Sequence, residues 1–161
     1  MKNLILIRHA KSSWETVADD FDRILEQRGI EAARLVAAHC RQYLPNTYIV
    51  WSSPAKRAAQ TARIFALEIP FPPEQINYIE QLYTFDDHIL TKIIKTCDNK
   101  HDNLILFGHN EAITNFVNKF GDIRIDNVPT AGFVSIQFNT DDWKTIANGR
   151  TVKTIFPKDL L

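Results

Sequence analysis

Two stretches of the chain carry an apolar run straight into a histidine. Leu4-Ile5-Leu6-Ile7 leads into Arg8-His9, and Leu104-Ile105-Leu106-Phe107 leads into Gly108-His109. A buried strand does not ordinarily end on an arginine and a histidine, so both pairs read as residues delivered to a site. A third stretch, SSPAKRAAQTA from Ser52 to Ala62, places Arg57 in the expected first turn of a helix. Two guanidinium groups offer forks of donors suited to the oxygens of a phosphoryl group. Free backbone N–H groups at a helix start favour an anion further. A neutral imidazole among such cations is a nucleophile able to form a covalent intermediate. The chemistry these residue types support together is phosphoryl transfer through a phosphohistidine.

That chemistry requires the three stretches to meet. Asn3–Ile7, Thr47–Ser53 and Asn103–Phe107 read as short buried strands. Apolar residues at Ile30, Ala33, Ala37, Cys40 and Leu44 predict a helix from about Glu26 to Leu44, ended by Pro45. Ser53-Pro54 predicts a cap and a helix to about Leu67. Further helices are expected from Asp86 or Asp87 to Cys97 and from Glu111 to Phe120, with a short strand at Ile76–Ile79. The residues from Ser12 to Arg23 read as an irregular loop. Phe133–Phe138, Trp143–Ala147 and Thr151–Ile155 read as strands joined by tight turns. Strand–helix alternation predicts a three-layer α/β sandwich, a mostly parallel sheet with helices on both faces and an antiparallel C-terminal edge. In such a sheet ligands bind outside the carboxyl ends of the strands, so the three stretches share one rim.

Composition narrows the alternatives. A length of 161 residues fits a single domain over 1–161, and 19 basic residues balance 19 acidic ones, which argues against a nucleic-acid partner. Cys40 and Cys97 stand far apart and give no disulfide framework. The histidines show no metal-ligand spacing, so no metal or other cofactor is expected. No run approaches the roughly 18 apolar residues of a membrane span, and the opening MKNLILI is too short for a signal peptide. The expectation is a soluble cytoplasmic protein with no membrane partner.

The segments RHAKSSW, DRILEQRG, SSPAKRAAQTA and LFGHNEAI, in this order, resemble the histidine phosphatase superfamily, also called phosphoglycerate-mutase-like. The short chain and the RHAKSSW form are most similar to its small SixA-type phosphohistidine phosphatase branch. The resemblance runs from Leu4 to about Phe120. It implies a metal-independent phosphatase in which His9 is the nucleophile and is transiently phosphorylated. Arg8, Arg57 and His109 would grip the non-bridging oxygens and stabilise the transition state. Arg23 matches a basic position near the pocket mouth, and Glu80 sits where many members carry the general acid. Ala10 replaces the commonest glycine, implying that the backbone there needs no positive φ. Glu15 replaces the asparagine frequent in sugar-phosphate members and argues against a phosphoglycerate-type site. Ile24 and Glu26 replace a proline and a capping residue, which costs the first helix about 1 kcal/mol.

Several residues keep two readings. Ser12 would donate to phosphate from the loop or merely shape it, and Trp14 would wall the pocket or cover the core. Arg23 has possible partners in Asp19, Asp20 and Asp22, and Glu80 has a solvated alternative. Lys11 and Lys56 contribute through the field rather than by contact. The expected substrate is a phosphohistidine on a protein, such as a histidine phosphotransfer domain. The alternatives are a small sugar or nucleotide phosphoester, or a non-catalytic phosphate-binding module.

Overall fold

The computed structural model describes residues 1–14 and 19–161. Glu15 lies outside them. The apolar run that opens the chain forms β1 (Lys2–Arg8), and the others form β2 (Ile49–Ser52), β3 (Asn77–Tyr78), β4 (Asn103–Gly108), β5 (Phe133–Phe138) and β6 (Arg150–Ile155). They make one six-stranded sheet in the order β3-β2-β4-β1-β5-β6. β1 runs parallel to β4, and β4 to β2, whereas β5 and β6 are antiparallel additions. The expected α/β sandwich with an antiparallel C-terminal edge is the architecture observed.

Alternation along β1 sets the layers, because successive side chains point to opposite faces. Leu4 and Leu6 join a core with Phe116 and Val117 of helix α4 (Ala112–Phe120) and Leu90 of α3 (Asp87–Ile94). Ile5 and Ile7 join a second core with Ala33 and Val36 of α1 (Gln27–Cys40) and Phe65 of α2 (Lys56–Glu68). β1 is thus buried on both faces and hydrogen-bonded on both edges, the most constrained position in the sheet.

Two expectations are corrected. Residues 143–147 are not a strand: Trp143–Thr145 is a 3-10 turn. Asp142 caps it, accepting from the Lys144 N–H at 2.9 Å, and the buried Trp143 indole donates to the His101 carbonyl at 2.7 Å. Those bonds replace a sheet ladder. The second helix begins at Lys56 rather than at Ser53-Pro54. The Ser53 hydroxyl accepts only from the Ala55 N–H, at 3.2 Å, and has a second partner described below. As expected, α1 starts on Glu26 without a side-chain cap, and Ala10 lies outside the left-handed region.

The loop after β1 is held by α1 through a close approach. Glu26 N–H donates to the Lys11 carbonyl at 3.0 Å, and Ser12 bridges Leu25. A β-carbon on Gly29 would lie 2.2 Å from that same Lys11 oxygen, far inside van der Waals contact. Gly29→Ala therefore forces α1 away from the loop. Overpacking of this kind costs about 1–3 kcal/mol, against a gain of about 1 kcal/mol in helix propensity. Urea unfolding of Gly29→Ala is expected to show a lower midpoint, and an unchanged or raised midpoint would contradict the tight contact.

Candidate active site

The register Arg8↔Gly108 sets His9 and His109 one residue beyond a matched pair of parallel strand ends. Their ring centroids are 5.3 Å apart, and both rings are buried. His9 Nδ1 lies 2.7 Å from the Ala10 carbonyl oxygen. A carbonyl only accepts, so Nδ1 carries the proton and the lone pair is on Nε2. Burial, followed by the charges of Arg57, Arg8 and Arg23, outweighs the Ala10 bond and lowers the imidazole pKa to about 3. At neutral pH His9 is thus an uncharged imidazole with its lone pair on Nε2. The carbonyls of Arg8 and His9 both accept from the Ala131 N–H, at 3.0 and 3.1 Å.

Arg57 is buried in the first turn of α2 and presents its Nε–H to His9 Nε2 at 3.3 Å. Thr61, one helical turn later, ties this arrangement to the loop. Its hydroxyl donates to the Arg57 carbonyl at 2.7 Å and accepts from the Ala10 N–H at 2.9 Å. The outer edge of Arg57 is taken by Asp20, through Nη1 to the carbonyl at 2.6 Å and Nη2 to Oδ2 at 3.0 Å. Asp20 also accepts from the Tyr83 hydroxyl and pairs with Arg23 at 3.2 Å. Burial alone would raise its pKa, but the hydrogen bonds from Tyr83 and Arg57 and the charges of Arg57 and Arg23 lower it.

Arg8 donates to the Val128 carbonyl at 2.9 Å. Arg23, reading as a partner of one nearby aspartate, pairs with Asp20 and is buried; its guanidinium lies 3.5 Å from the centroid of the Trp14 ring. Trp14 itself is 78% exposed and lines the cleft, so it does not cover the core. His109 stands with Nε2 2.8 Å from the Ser53 hydroxyl. That hydroxyl also accepts from the Ala55 N–H; with its own proton directed to His109 Nε2, the imidazole proton is on Nδ1. Burial, then His9 and Arg57, lower the His109 pKa to about 2. Tyr83 and Phe85 pack on its ring at 5.3 and 5.6 Å.

These side chains surround an open cleft of ≈ 590 Å³ lined by Arg8, His9, Ser12, Trp14, Arg23 and Arg57 among others. Three buried side-chain nitrogens among the described residues have no protein partner: Arg8 Nε, Arg23 Nε and His109 Nδ1. All three belong to this site. Unpaired buried polar nitrogens are costly, and this site concentrates them.

Glu80 is exposed, opens the 3-10 turn Glu80–Leu82, and is not among the residues that line the cleft. The turn contributes Tyr83 to the site instead. Lys11 and Lys56 pair with Glu26 and Asp22 at 3.7 and 3.5 Å. Sequence reasoning missed Asp20 and Tyr83 as site residues. The one available signal was Asp20 three residues before Arg23 in a loop. As for metals, Asp86, Asp87 and His88 bring ligand atoms together. The Lys119 ammonium already stands 2.8 Å from Asp87 and 3.2 Å from His88 Nε2, so the donor set is neutralised by a cation of the protein.

Comparison with known proteins agrees with this geometry. Residues 4–85 match the family model of the histidine phosphatase superfamily, branch 1. An uncharacterised protein of Mycobacterium leprae is 31% identical over 67% of this chain and 66% of its own length. A Mycobacterium tuberculosis relative, also uncharacterised, is 28% identical over 83% of this chain and 82% of its own. Among solved structures, the protein histidine phosphatase SixA complexed with tungstate superposes with a TM-score of 0.82 at 17% identity, covering 99% of each chain. The putative phosphohistidine phosphatase SixA of Agrobacterium tumefaciens gives 0.76 at 24% identity, over 96% of this chain and 97% of its own. A mycobacterial glucosyl-3-phosphoglycerate phosphatase gives 0.70 at 12% identity, over 95% and 98%. The chain belongs to the histidine phosphatase superfamily and is a phosphatase with the fold of its SixA-type members.

Proposed function

We propose that this phosphatase removes phosphoryl groups from protein-borne phosphohistidine through a covalent intermediate on His9. The observation that carries the reading is the neutral His9 Nε2, its lone pair facing Arg57, in a site that also holds three buried nitrogens without a protein partner. In the first step His9 Nε2 attacks phosphorus, the bond to the leaving group breaks, and the electron pair departs with that group. Arg8, Arg57, Arg23 and His109 Nδ1–H donate to the non-bridging oxygens as charge develops. Water then attacks the phosphorus on His9 and releases phosphate, restoring the imidazole. No residue in this scheme requires a metal.

The leaving group separates the two substrate classes. An alkoxide needs a proton donor, whereas an imidazole protonated on its far nitrogen leaves as a neutral molecule. The carboxylates lining the cleft, Asp20 and Glu26, are each paired with a cation, and Glu80 does not line it. The cleft therefore suits a phosphohistidine carried by a partner such as a histidine phosphotransfer domain. A small phosphomonoester is the second reading, supported by the fold shared with the glucosyl-3-phosphoglycerate phosphatase.

Rapid quenching of the wild type with a labelled aryl phosphate is expected to trap acid-labile phosphate on the protein. His9→Ala should give no label and lose several orders of magnitude in rate; a fully active His9→Ala enzyme would sink the mechanism. Comparing turnover of a phosphorylated phosphotransfer domain with that of sugar and nucleotide phosphates ranks the two substrate readings.

Stability should follow pH through the same imidazoles. Both are neutral in the folded protein down to about 3 for His9 and about 2 for His109, yet each takes a proton near 6.5 once unfolded. Between these values the unfolded chain binds more protons, so stability is present above about 6.5 and falls as the pH drops. Each group contributes about 1.4 kcal/mol per pH unit in that window. Denaturation midpoints at pH 7 and pH 5 should differ less in His109→Asn than in the wild type, and identical pH slopes would contradict the buried neutral state.

A further inference from the structure

Asp20 is absorbed by none of the steps above, yet it is the most connected carboxylate of the cleft. It holds the outer edge of Arg57, whose inner edge faces His9 Nε2, and it also meets Arg23 and Tyr83. One guanidinium thus separates a fixed negative charge from the attacking nitrogen. A phosphoryl group seated on His9 Nε2 takes the inner Arg57 edge and leaves Asp20 in place. The leaving group must then depart toward the cleft mouth, where Asp20 is part of the wall and 40% exposed. A carboxylate so placed, held ionised by its partners, has no proton to give an oxygen leaving group on which negative charge builds. It attracts an imidazole leaving group that carries a proton.

We propose that Asp20 is the specificity-determining residue of this site, accepting a hydrogen bond from the ring N–H of the departing imidazole. This rests on the phosphohistidine reading above. As the bond from phosphorus to the substrate nitrogen breaks, its electron pair stays on that nitrogen. The proton on the far ring nitrogen remains there, shared with an Asp20 oxygen, and the product is a neutral imidazole. Asp20 accepts throughout and gives up no proton. Its cationic neighbours and the Tyr83 hydroxyl keep it ionised for that purpose. The same residue is thereby unsuited to protonating an alkoxide, so selectivity for nitrogen over oxygen leaving groups is built into one side chain.

The test is a ratio of kcat/KM values, for phosphohistidine and for para-nitrophenyl phosphate, in wild type, Asp20→Asn and Asp20→Glu. The asparagine oxygen can still accept from Arg57, while the charge is gone. The ratio is expected to fall by about tenfold or more in Asp20→Asn, the worth of one charge-assisted hydrogen bond, and to be largely kept in Asp20→Glu. A merely structural role lowers both values together and leaves the ratio unchanged, which would overturn the inference while sparing the His9 mechanism. If Asp20→Asn does not fold, Asp20→Ala serves in its place: a similar fall of the ratio supports the assignment, and an unchanged ratio contradicts it. A wild type active on the aryl phosphate but inert on phosphohistidine overturns both the substrate reading and the role of Asp20.

Discussion

The parallel pairing of β1 with β4 is the constraint on which the rest of the site depends. Its register, from Asn3↔Asn103 to Arg8↔Gly108, brings together residues one hundred positions apart in the chain. A slip of one residue would turn Leu4 and Leu6 from one core to the other and carry Arg8 and His9 with them. Because β1 is buried on both faces, such a slip is excluded by packing. The precision of the site therefore comes from apolar side chains that never touch a substrate.

Electrostatics then act on a fixed frame. Arg8, Arg23 and Arg57 converge on a small volume that also holds two imidazoles. Protonating either ring there would add a buried charge beside like charges, so both stay neutral. The cost of assembling the arginines is offset by Asp20, which neutralises two of them without occupying the edge that faces His9. The arrangement is half-neutralised: enough to be stable, and still cationic enough to attract a phosphoryl group.

The parts of this design that follow from local rules were legible in the sequence. Apolar runs followed by His9 and His109 marked the strand ends, helical spacing marked α1, and Ser53-Pro54 announced α2 three residues early. What was not legible came from contacts between distant irregular segments. Asp20 and Tyr83 meet from two loops 63 positions apart, and neither loop has a periodicity to betray a role. Ser53 read as a helix cap because serine favours that position, but its hydroxyl is committed to His109. Trp143 looked like part of a strand because aromatic residues favour sheets, and tertiary packing turned it into an anchor for a 3-10 turn. Glu80 was singled out by resemblance, and Tyr83, at the end of its turn, was not.

The bond from Ala131 to the carbonyls of Arg8 and His9 has a wider meaning. Ala131 adopts φ 61, an uncommon conformation for a residue with a β-carbon, and it immediately precedes Gly132 and β5 at the catalytic strand's other edge. The segment that leads into β5 thus closes the backbone around Arg8 and His9. The neutrality of His9 is accordingly a property of the assembled fold: an unfolded chain lacks the burial and the Arg57 neighbour that depress its pKa.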